Sequence, residues 1–201
     1  MSFGGQQPQS SFFGPLMGRT ATFLLEGRRA NLDFARALVG VLAQAGGSCA
    51  VLDLDAFYSS NADVIFSSLP KASAEASTVI IPEPGADIEA EFARLFGSTQ
   101  KAIVIDSLNS LYHLISQEDG SSRSRKLAFA VAALSYLARA NDTAVVLTMY
   151  RREGFTRYGT VRSISALSEI TASVDVRGTE LVIRAERGRA WPGGRYSIRI
   201  P

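Results

Sequence analysis

The sequence has one cysteine, one histidine and one tryptophan, and only three of its 21 basic residues are lysines. A single cysteine excludes an internal disulfide, and Cys49 lies in an apolar run that predicts a buried structural thiol. Since His113 has no second histidine beside it, we expect it to be structural and we predict no bound metal. No apolar run approaches the roughly 18 residues that a membrane-spanning helix needs, so we expect no membrane association.

The first residues, MSFGGQQPQSS, have neither the basic start nor the apolar segment of a secretion signal, and we expect a cytoplasmic protein. A length of 201 residues with 46% hydrophobic content favours one globular domain. The Gly, Gln, Ser and Pro content of residues 1–19 predicts a flexible tail before a core domain at 20–201. Within the tail, Phe12 and Phe13 form a candidate partner-binding cluster, and packing on their own domain is the alternative.

Strand-like and helix-like segments alternate from residue 20 onward. The predicted strands are 20–25, 49–54, 77–81, 101–105 and 143–149, and the predicted helices are 32–45, 87–96, 108–115 and 126–140. Because these strands are nearly continuous apolar runs, they predict a parallel sheet covered by helices on both faces, in a doubly wound α/β fold. Three further strand-like segments, at 170–176, 180–184 and 195–200, predict antiparallel hairpins at the end of the chain.

The segment Lys101-Ala-Ile-Val-Ile-Asp106-Ser107 places a carboxylate at the carboxyl end of a central strand, where open α/β sheets bind ligands. Together with Ser107-Leu-Asn-Ser-Leu111, it resembles the Walker B segment of the RecA/RadA/KaiC superfamily of recombinase-like ATPases. The later pieces follow a similar order over roughly residues 20–200: a polar strand end at Thr148-Met149-Tyr150, an arginine-rich loop and terminal hairpins. The resemblance implies a RecA-like, mostly parallel sheet flanked by helices and ending in antiparallel hairpin strands.

The phosphate loop of that superfamily is the main departure. In G-x-x-x-x-G-K-[ST], glycines let backbone N–H groups approach phosphate, lysine neutralises it and the hydroxyl holds the metal. Counted from Gly27, the last three positions are Leu32, Asp33 and Phe34, and no lysine precedes Lys71. We therefore predict no cofactor and no ATP hydrolysis. The degenerate nucleotide site consists of Gly27, Arg28, Arg29, Asp33 and Asp106.

One other part of the family's machinery also differs, and another has a counterpart at a similar position. Met149 and Tyr150 stand where family ATPases often have an Asn-Gln pair that senses phosphate. Asp53 and Asp55 lie roughly where the family has its water-activating carboxylate, and without a nucleotide we expect them to be hydrogen-bonding residues. An irregular phosphate grip by Arg28 and Arg29, with magnesium on Asp106, is the alternative and would make the chain an atypical ATPase.

Positive charge is concentrated at the end of the chain. Residues 151–201 contain 10 Arg against 5 Asp/Glu, whereas residues 1–150 contain 11 Lys/Arg against 14 Asp/Glu. The loop 150–162 interleaves arginines, which follow a phosphate backbone, with aromatic rings, which stack on bases. Its candidate nucleic-acid-binding residues are Arg151, Arg152, Phe155, Arg157, Tyr158 and Arg162. Arg184, Arg187, Arg189, Arg195 and Arg199 could extend this surface, and a solvated loop or a loop pairing with an acidic partner is the alternative.

The predicted function is that of a non-catalytic recombinase paralogue or accessory protein in homologous recombination and DNA repair. Its expected partners are single-stranded DNA, with RNA left open, and a recombinase or paralogue subunit in a homo- or hetero-oligomer. The alternatives are a RecA-fold scaffold similar to the Elongator subunits that bind tRNA, the atypical ATPase, and a regulatory KaiC-like domain without activity.

Overall fold

The computed structural model describes residues 13–44, 47–67, 69–83, 86–96, 100–114, 120–150, 167–187 and 194–199. The strands in these ranges are β1 (Thr20–Leu25), β2 (Cys49–Asp53), β3 (Thr78–Ile80), β4 (Ala102–Asp106), β5 (Ala144–Tyr150), β6 (Ile170–Arg177), β7 (Glu180–Arg187) and β8 (Arg195–Arg199). The helices are α1 (Gly27–Gln44), α2 (Phe57–Ser60), α3 (Ala62–Ile65), α4 (Lys71–Ala76), α5 (Ile88–Phe96), α6 (Leu108–Leu114) and α7 (Gly120–Asn141).

The strands form one mixed sheet in the order β3-β2-β4-β5-β1-β6-β7-β8. All neighbours from β3 to β6 are parallel, and β7 is antiparallel to both β6 and β8. Parallel strands need crossover connections, and the described helices lie in those between β1 and β5 along the chain. The predicted fold class, a mostly parallel sheet that ends in antiparallel hairpin strands, is confirmed.

Each face of the sheet has its own apolar core. Phe23 of β1 packs against Phe34 of α1 with ring centroids 4.6 Å apart, in a cluster that extends to the hairpin strands. The opposite cluster joins Ile105 of β4 to Leu111 of α6 and Leu134 of α7. Because both faces are covered, every residue of β2 and β4 is buried, which explains their continuous apolar sequences.

The buried core includes residues before position 20, where the composition predicted a flexible tail. Residues 14–16 form a turn of 3-10 helix, and Phe13 and Leu16 are buried in the α1 core. The free energy gained by burying these two side chains offsets the conformational entropy lost when the neighbouring polar residues are fixed. Average composition does not reveal such local burial. Phe13 therefore packs on its own domain and is not available as a partner-binding residue, while Phe12 lies outside the described residues.

Two helices begin earlier than their apolar periodicity predicted. Helix α1 starts at Gly27 instead of residue 32, and α7 starts at Gly120 instead of residue 126. In α1 the additional turn contains an ion pair between Arg29 and Asp33, one helical turn apart, at 3.7 Å. The short helices α2, α3 and α4 were not predicted. None of the described helices combines the length and the apolarity needed to cross a bilayer.

Candidate functional site

The carboxyl ends of β2, β4 and β5 lie side by side at one edge of the sheet. Asp53 and Asp106 are paired in register across β2 and β4, and β5 continues as far as Tyr150. The backbone N–H of Tyr150 donates to Asn109 Oδ1 at 3.0 Å, which ties the end of β5 to α6. This edge is where open α/β sheets present ligand-binding side chains.

Asp106 is fully buried and accepts hydrogen bonds from β5. Thr148 Oγ1 donates to Asp106 Oδ1, and the Tyr150 hydroxyl lies 3.3 and 3.4 Å from the two carboxylate oxygens. The same hydroxyl accepts a hydrogen bond from Asn31 Nδ2 of α1. We refer to Asn31, Asp106, Thr148 and Tyr150 as the Tyr150 network, because this tyrosine joins α1 to the aspartate.

Opposing effects set the protonation of Asp106. Burial raises its pKa to about 7; the hydrogen bond from Thr148 opposes the rise, the negative charges of Asp55 and Asp53 add to it, and Tyr150 opposes it. Burial, together with the charge of Asp106, also raises the pKa of Tyr150 above its ordinary value. The tyrosine therefore remains a hydroxyl that can donate to Asp106 at neutral pH.

Asp53 and Asp55 act as hydrogen-bond acceptors. Asp53 accepts the backbone N–H groups of Phe57 and Ser59 at 2.8 and 2.7 Å, which fixes the start of α2. Asp55 accepts hydroxyl hydrogen bonds from Ser107, at 2.7 Å, and from Ser110. No group of three or more histidine, cysteine or acidic side chains suited to a metal ion occurs in the described parts of the chain.

Strand β1 passes into α1 with only Glu26 between them. Glu26 N donates to Val174 O of β6 at 3.1 Å, and Gly27 begins the helix at φ +90°, which a residue with a Cβ adopts only under strain. Residues 27–34, which align with the phosphate loop, therefore form the first two turns of α1. They do not form a loop whose N–H groups could surround phosphate.

The strands β6, β7 and β8 have one apolar face and one mainly polar face, and the buried Val182 is the apolar member of the polar face. The apolar face packs on the α1 core and contains Ala172, Val174, Leu181, Ile183, Tyr196 and Ile198. The polar face contains, in cross-strand rows, Ser173, Arg184 and Arg195; Asp175, Val182 and Ser197; and Arg177, Glu180 and Arg199. Alternation along each strand produces this division, because successive side chains point to opposite faces.

Arg184 and Arg195 stand directly opposite each other on the polar face. Like charges in that position repel, and within the described residues neither arginine makes an ion pair. Arg177 is different, since its Nε lies 3.2 Å from Asp175 Oδ2. Glu186, two positions along β7 from Arg184, is the nearest acidic side chain on the same strand. The loop residues Arg151, Arg152, Phe155, Arg157, Tyr158 and Arg162 lie outside the described residues, as do Arg189 and the side chain of Arg187.

Comparison of the structure with solved structures identifies the fold. The RadB recombinase superposes with a TM-score of 0.69 and 16% identity, over 95% of this chain and 93% of that one. A KaiC-like protein from the hyperthermophilic archaeon Pyrococcus horikoshii superposes with a TM-score of 0.63 and 14% identity, over 90% of each chain. The chain therefore has a RecA-like α/β fold, which it shares with both proteins. No family model and no curated protein matches the sequence.

In RecA-like ATPases the carboxyl edge of the sheet would hold a nucleotide with magnesium, and the residues of this RecA-like domain do not fit that ligand. The strand-to-helix junction is one residue long, and the Tyr150 hydroxyl lies between α1 and Asp106. Asp33 is almost fully buried near the start of α1, and in the sequence it stands at the position of the phosphate-loop lysine. Arg29 pairs with Asp33 and donates to Gly178 O at 3.3 Å. For Arg29 to bind a phosphate, both of these contacts would have to be replaced. The side chain of Arg28 lies outside the part of the chain that the structure describes.

Sequence reasoning identified Asp106 but missed most of its partners in the RecA-like domain. Asn31 lies 119 positions from Tyr150 along the chain, and it attracted no attention because a single asparagine in a helix carries no motif. Tyr150 was noted only as a departure from the family's Asn-Gln pair. One signal was available: Tyr150 ends a strand next to β4, and the carboxyl ends of parallel neighbours meet at one edge.

Proposed function

We propose that this RecA-like domain acts by binding macromolecules and not by hydrolysing ATP. The observation that carries the proposal is the direct junction between β1 and α1, with the Tyr150 hydroxyl between α1 and the Walker-B-like Asp106. A catalytic site would need phosphate-binding backbone, a lysine and a metal-binding hydroxyl in that space. Asp106 is instead occupied by hydrogen bonds from Thr148 and Tyr150.

The proposed role is that of an accessory protein in homologous recombination and DNA repair, which binds single-stranded DNA, a RadA-type recombinase, or both. The superposed RadB structure, described as a recombinase, supports this role through its fold. A protein that binds to a filament needs no chemistry of its own. It would act by stabilising or seeding the assembly of the recombinase.

Support for nucleic-acid binding comes from the terminal hairpins. A phosphate between Arg184 and Arg195 would reduce the repulsion between their guanidinium groups, because the phosphate is negatively charged. An arginine can also bind a phosphate through two parallel hydrogen bonds. Arg199 is exposed on the same face. The arginines and aromatic residues of the loop 151–162 follow β5 in the sequence and are proposed to continue this surface.

Binding that depends on phosphate neutralisation weakens as salt increases. We expect the logarithm of the affinity for single-stranded DNA to fall linearly with the logarithm of salt concentration. The double change Arg184→Gln and Arg195→Gln removes the two arginines proposed to share one phosphate, and it should reduce the magnitude of that slope by about 0.7, at roughly 0.7 per phosphate. Arg151→Ala with Arg152→Ala should have a similar effect, whereas Lys71→Gln, on the exposed helix α4, should change neither affinity nor slope.

The measurement is a titration of a fluorescent single-stranded oligonucleotide at two salt concentrations, repeated with tRNA. No binding at low salt, or equal binding by all variants, would remove the DNA part of the proposal. Tighter binding to tRNA than to DNA would favour the scaffold alternative. Capture of a recombinase on the immobilised protein, from an extract of the source organism, tests the protein partner separately.

The non-catalytic part has its own test. We expect calorimetry with ATP and magnesium to detect no binding at micromolar nucleotide. Micromolar affinity, or phosphate release that Asp106→Asn abolishes, would overturn this part and favour the atypical ATPase.

A further inference from the structure

One stripe along α7 exposes aromatic side chains. Phe129 and Tyr136 are 76% and 68% exposed, whereas Leu127, Val131 and Leu134 on the opposite side of the same helix are fully buried. Seven residues correspond to almost two helical turns, so the two rings lie on one stripe about 10 Å apart. Isolated exposed apolar residues are common, but two large aromatic rings aligned on one helix form a patch that a partner could cover.

Small residues separate the two rings. Ala132, Ala133 and Ala140 are exposed or half-buried on the same side of α7. We refer to Phe129, Ala132, Ala133, Tyr136 and Ala140 as the α7 stripe. Alanine between aromatic residues allows a second helix to approach closely, since interaxial distances depend on the side chains at the contact.

The order of residues on the stripe has a near two-fold pattern. A two-fold axis that passes between Ala132 and Ala133 places Phe129 opposite Tyr136 of a second copy and Arg125 opposite Ala140. Each copy would then contribute the same residues, which is the property of an isologous interface. The contact between Phe129 and Tyr136 would then occur twice in the dimer. Aromatic pairs in tilted or offset geometry contribute free energy beyond that of burying their surface.

Charge favours the same antiparallel arrangement. The first half of α7 carries the exposed Arg125 and Lys126, and the chain just after its last turn carries the exposed Asp142. Antiparallel packing brings the basic half of one helix to the negative end of the other, where the helix dipole and Asp142 both attract cations. Arg139, which would approach Lys126 of the other copy, already pairs with Glu169 at 3.1 Å.

We propose that the α7 stripe is a self-association surface, at which a second copy of this chain packs its own α7 in antiparallel orientation. The interaction is separate from the proposed binding of nucleic acid or recombinase. A helix face of this length buries less than the roughly 800 Å² per partner of a standard interface. We therefore expect a weak dimer whose population depends on protein concentration.

Sedimentation equilibrium over a range from about 1 to 200 µM tests the proposal. The unaltered chain should approach the dimer mass at the upper end, and Phe129→Ser with Tyr136→Ser should shift the midpoint at least tenfold or abolish dimerisation. Ala140→Lys should weaken association by opposing Arg125, and Arg125→Glu combined with Ala140→Lys should restore it. Ala93→Lys, an exposed alanine on α5, is the matched control and should leave the midpoint unchanged.

Cross-linking tests the position of the axis. Ala132→Cys should give a covalent dimer under mild oxidation, while Ala93→Cys should not. A chain that remains monomeric throughout the range, or a dimer that tolerates the double serine change, overturns the proposal. A monomer whose affinity for single-stranded DNA falls with the double serine change would instead show that the stripe binds nucleic acid. Circular dichroism of each variant establishes that the exposed substitutions leave the fold intact.

Discussion

The Tyr150 hydroxyl lies 3.3 and 3.4 Å from the two carboxylate oxygens of Asp106, and it accepts a hydrogen bond from Asn31 of α1. This relationship connects the helix that would follow a phosphate loop to the aspartate that would hold magnesium. The edge of the sheet is therefore stabilised by side chains of the protein itself. The contribution of the Tyr150 network to the free energy of unfolding can therefore be measured without a ligand.

Asp106 predicts an unusual dependence of stability on pH. Burial raises its pKa in the folded protein to about 7, above its ordinary value near 4 in the unfolded chain. Between these values the folded state holds a proton that the unfolded state has released, so this group makes stability fall as pH rises through that window, and its effect is constant above it. Relative to the unaltered protein, Asp106→Asn should gain roughly 2–3 kcal/mol in free energy of unfolding between pH 5 and pH 8.

Urea unfolding of both proteins at the two pH values measures this difference. The exposed Asp63→Asn on α3 is the control and should give a constant difference from the unaltered protein. A constant difference for Asp106→Asn as well would mean that Asp106 has an ordinary pKa.

Removal of the Tyr150 hydroxyl should be destabilising. Tyr150→Phe leaves the buried Asn31 Nδ2 without its acceptor, and Asn31 Oδ1 already lacks a partner among the described residues. The expected loss is about 1–3 kcal/mol in the free energy of unfolding. The same change removes a donor that favours the carboxylate, so it should also raise the pKa of Asp106. Tyr136→Phe, on the exposed side of α7, should change stability by less than about 0.5 kcal/mol, and an equal effect of both changes would contradict a role for the network.

Asp53 should support the connection after β2. Its two carboxylate oxygens accept N–H groups from Phe57 and Ser59 in a buried setting, and Asp53→Ala would leave both donors unpaired. We expect a loss of about 2 kcal/mol or more, with a smaller loss for Asp53→Asn, which keeps one acceptor. Thermal unfolding of the two variants gives this order, and the reverse order would argue against the hydrogen bonds.

Phe13 tests where the core begins. It is 5% exposed, so Phe13→Ala should cost about 3–5 kcal/mol through lost burial and the cavity left behind. Phe129→Ala, the same change at an exposed position, should cost less than about 0.5 kcal/mol when measured at low protein concentration. Similar values for both would place Phe13 in the tail after all.

Local sequence determined the order of the elements. Apolar runs in β1, β2, β4 and β5 predicted buried parallel strands, because a strand covered on both faces needs apolar side chains on both. The absence of lysine before Lys71 is also a property of sequence alone. It was enough to predict a degenerate phosphate loop from the sequence. The helix starts were less accurate, since the first turn of α1 consists largely of polar residues, of which Arg29 pairs with Asp33, and it lacks apolar periodicity.

Tertiary structure decided which side chains meet. Asn31, Asp106 and Tyr150 are far apart along the chain, and only the order of β4, β5 and β1 in the sheet brings them together. Strand register likewise decided that Arg184 faces Arg195, and burial decided that Phe13 belongs to the core. Patterns within a few residues of one another reveal an element and its buried face, whereas contacts across the sheet depend on the packing of the whole domain.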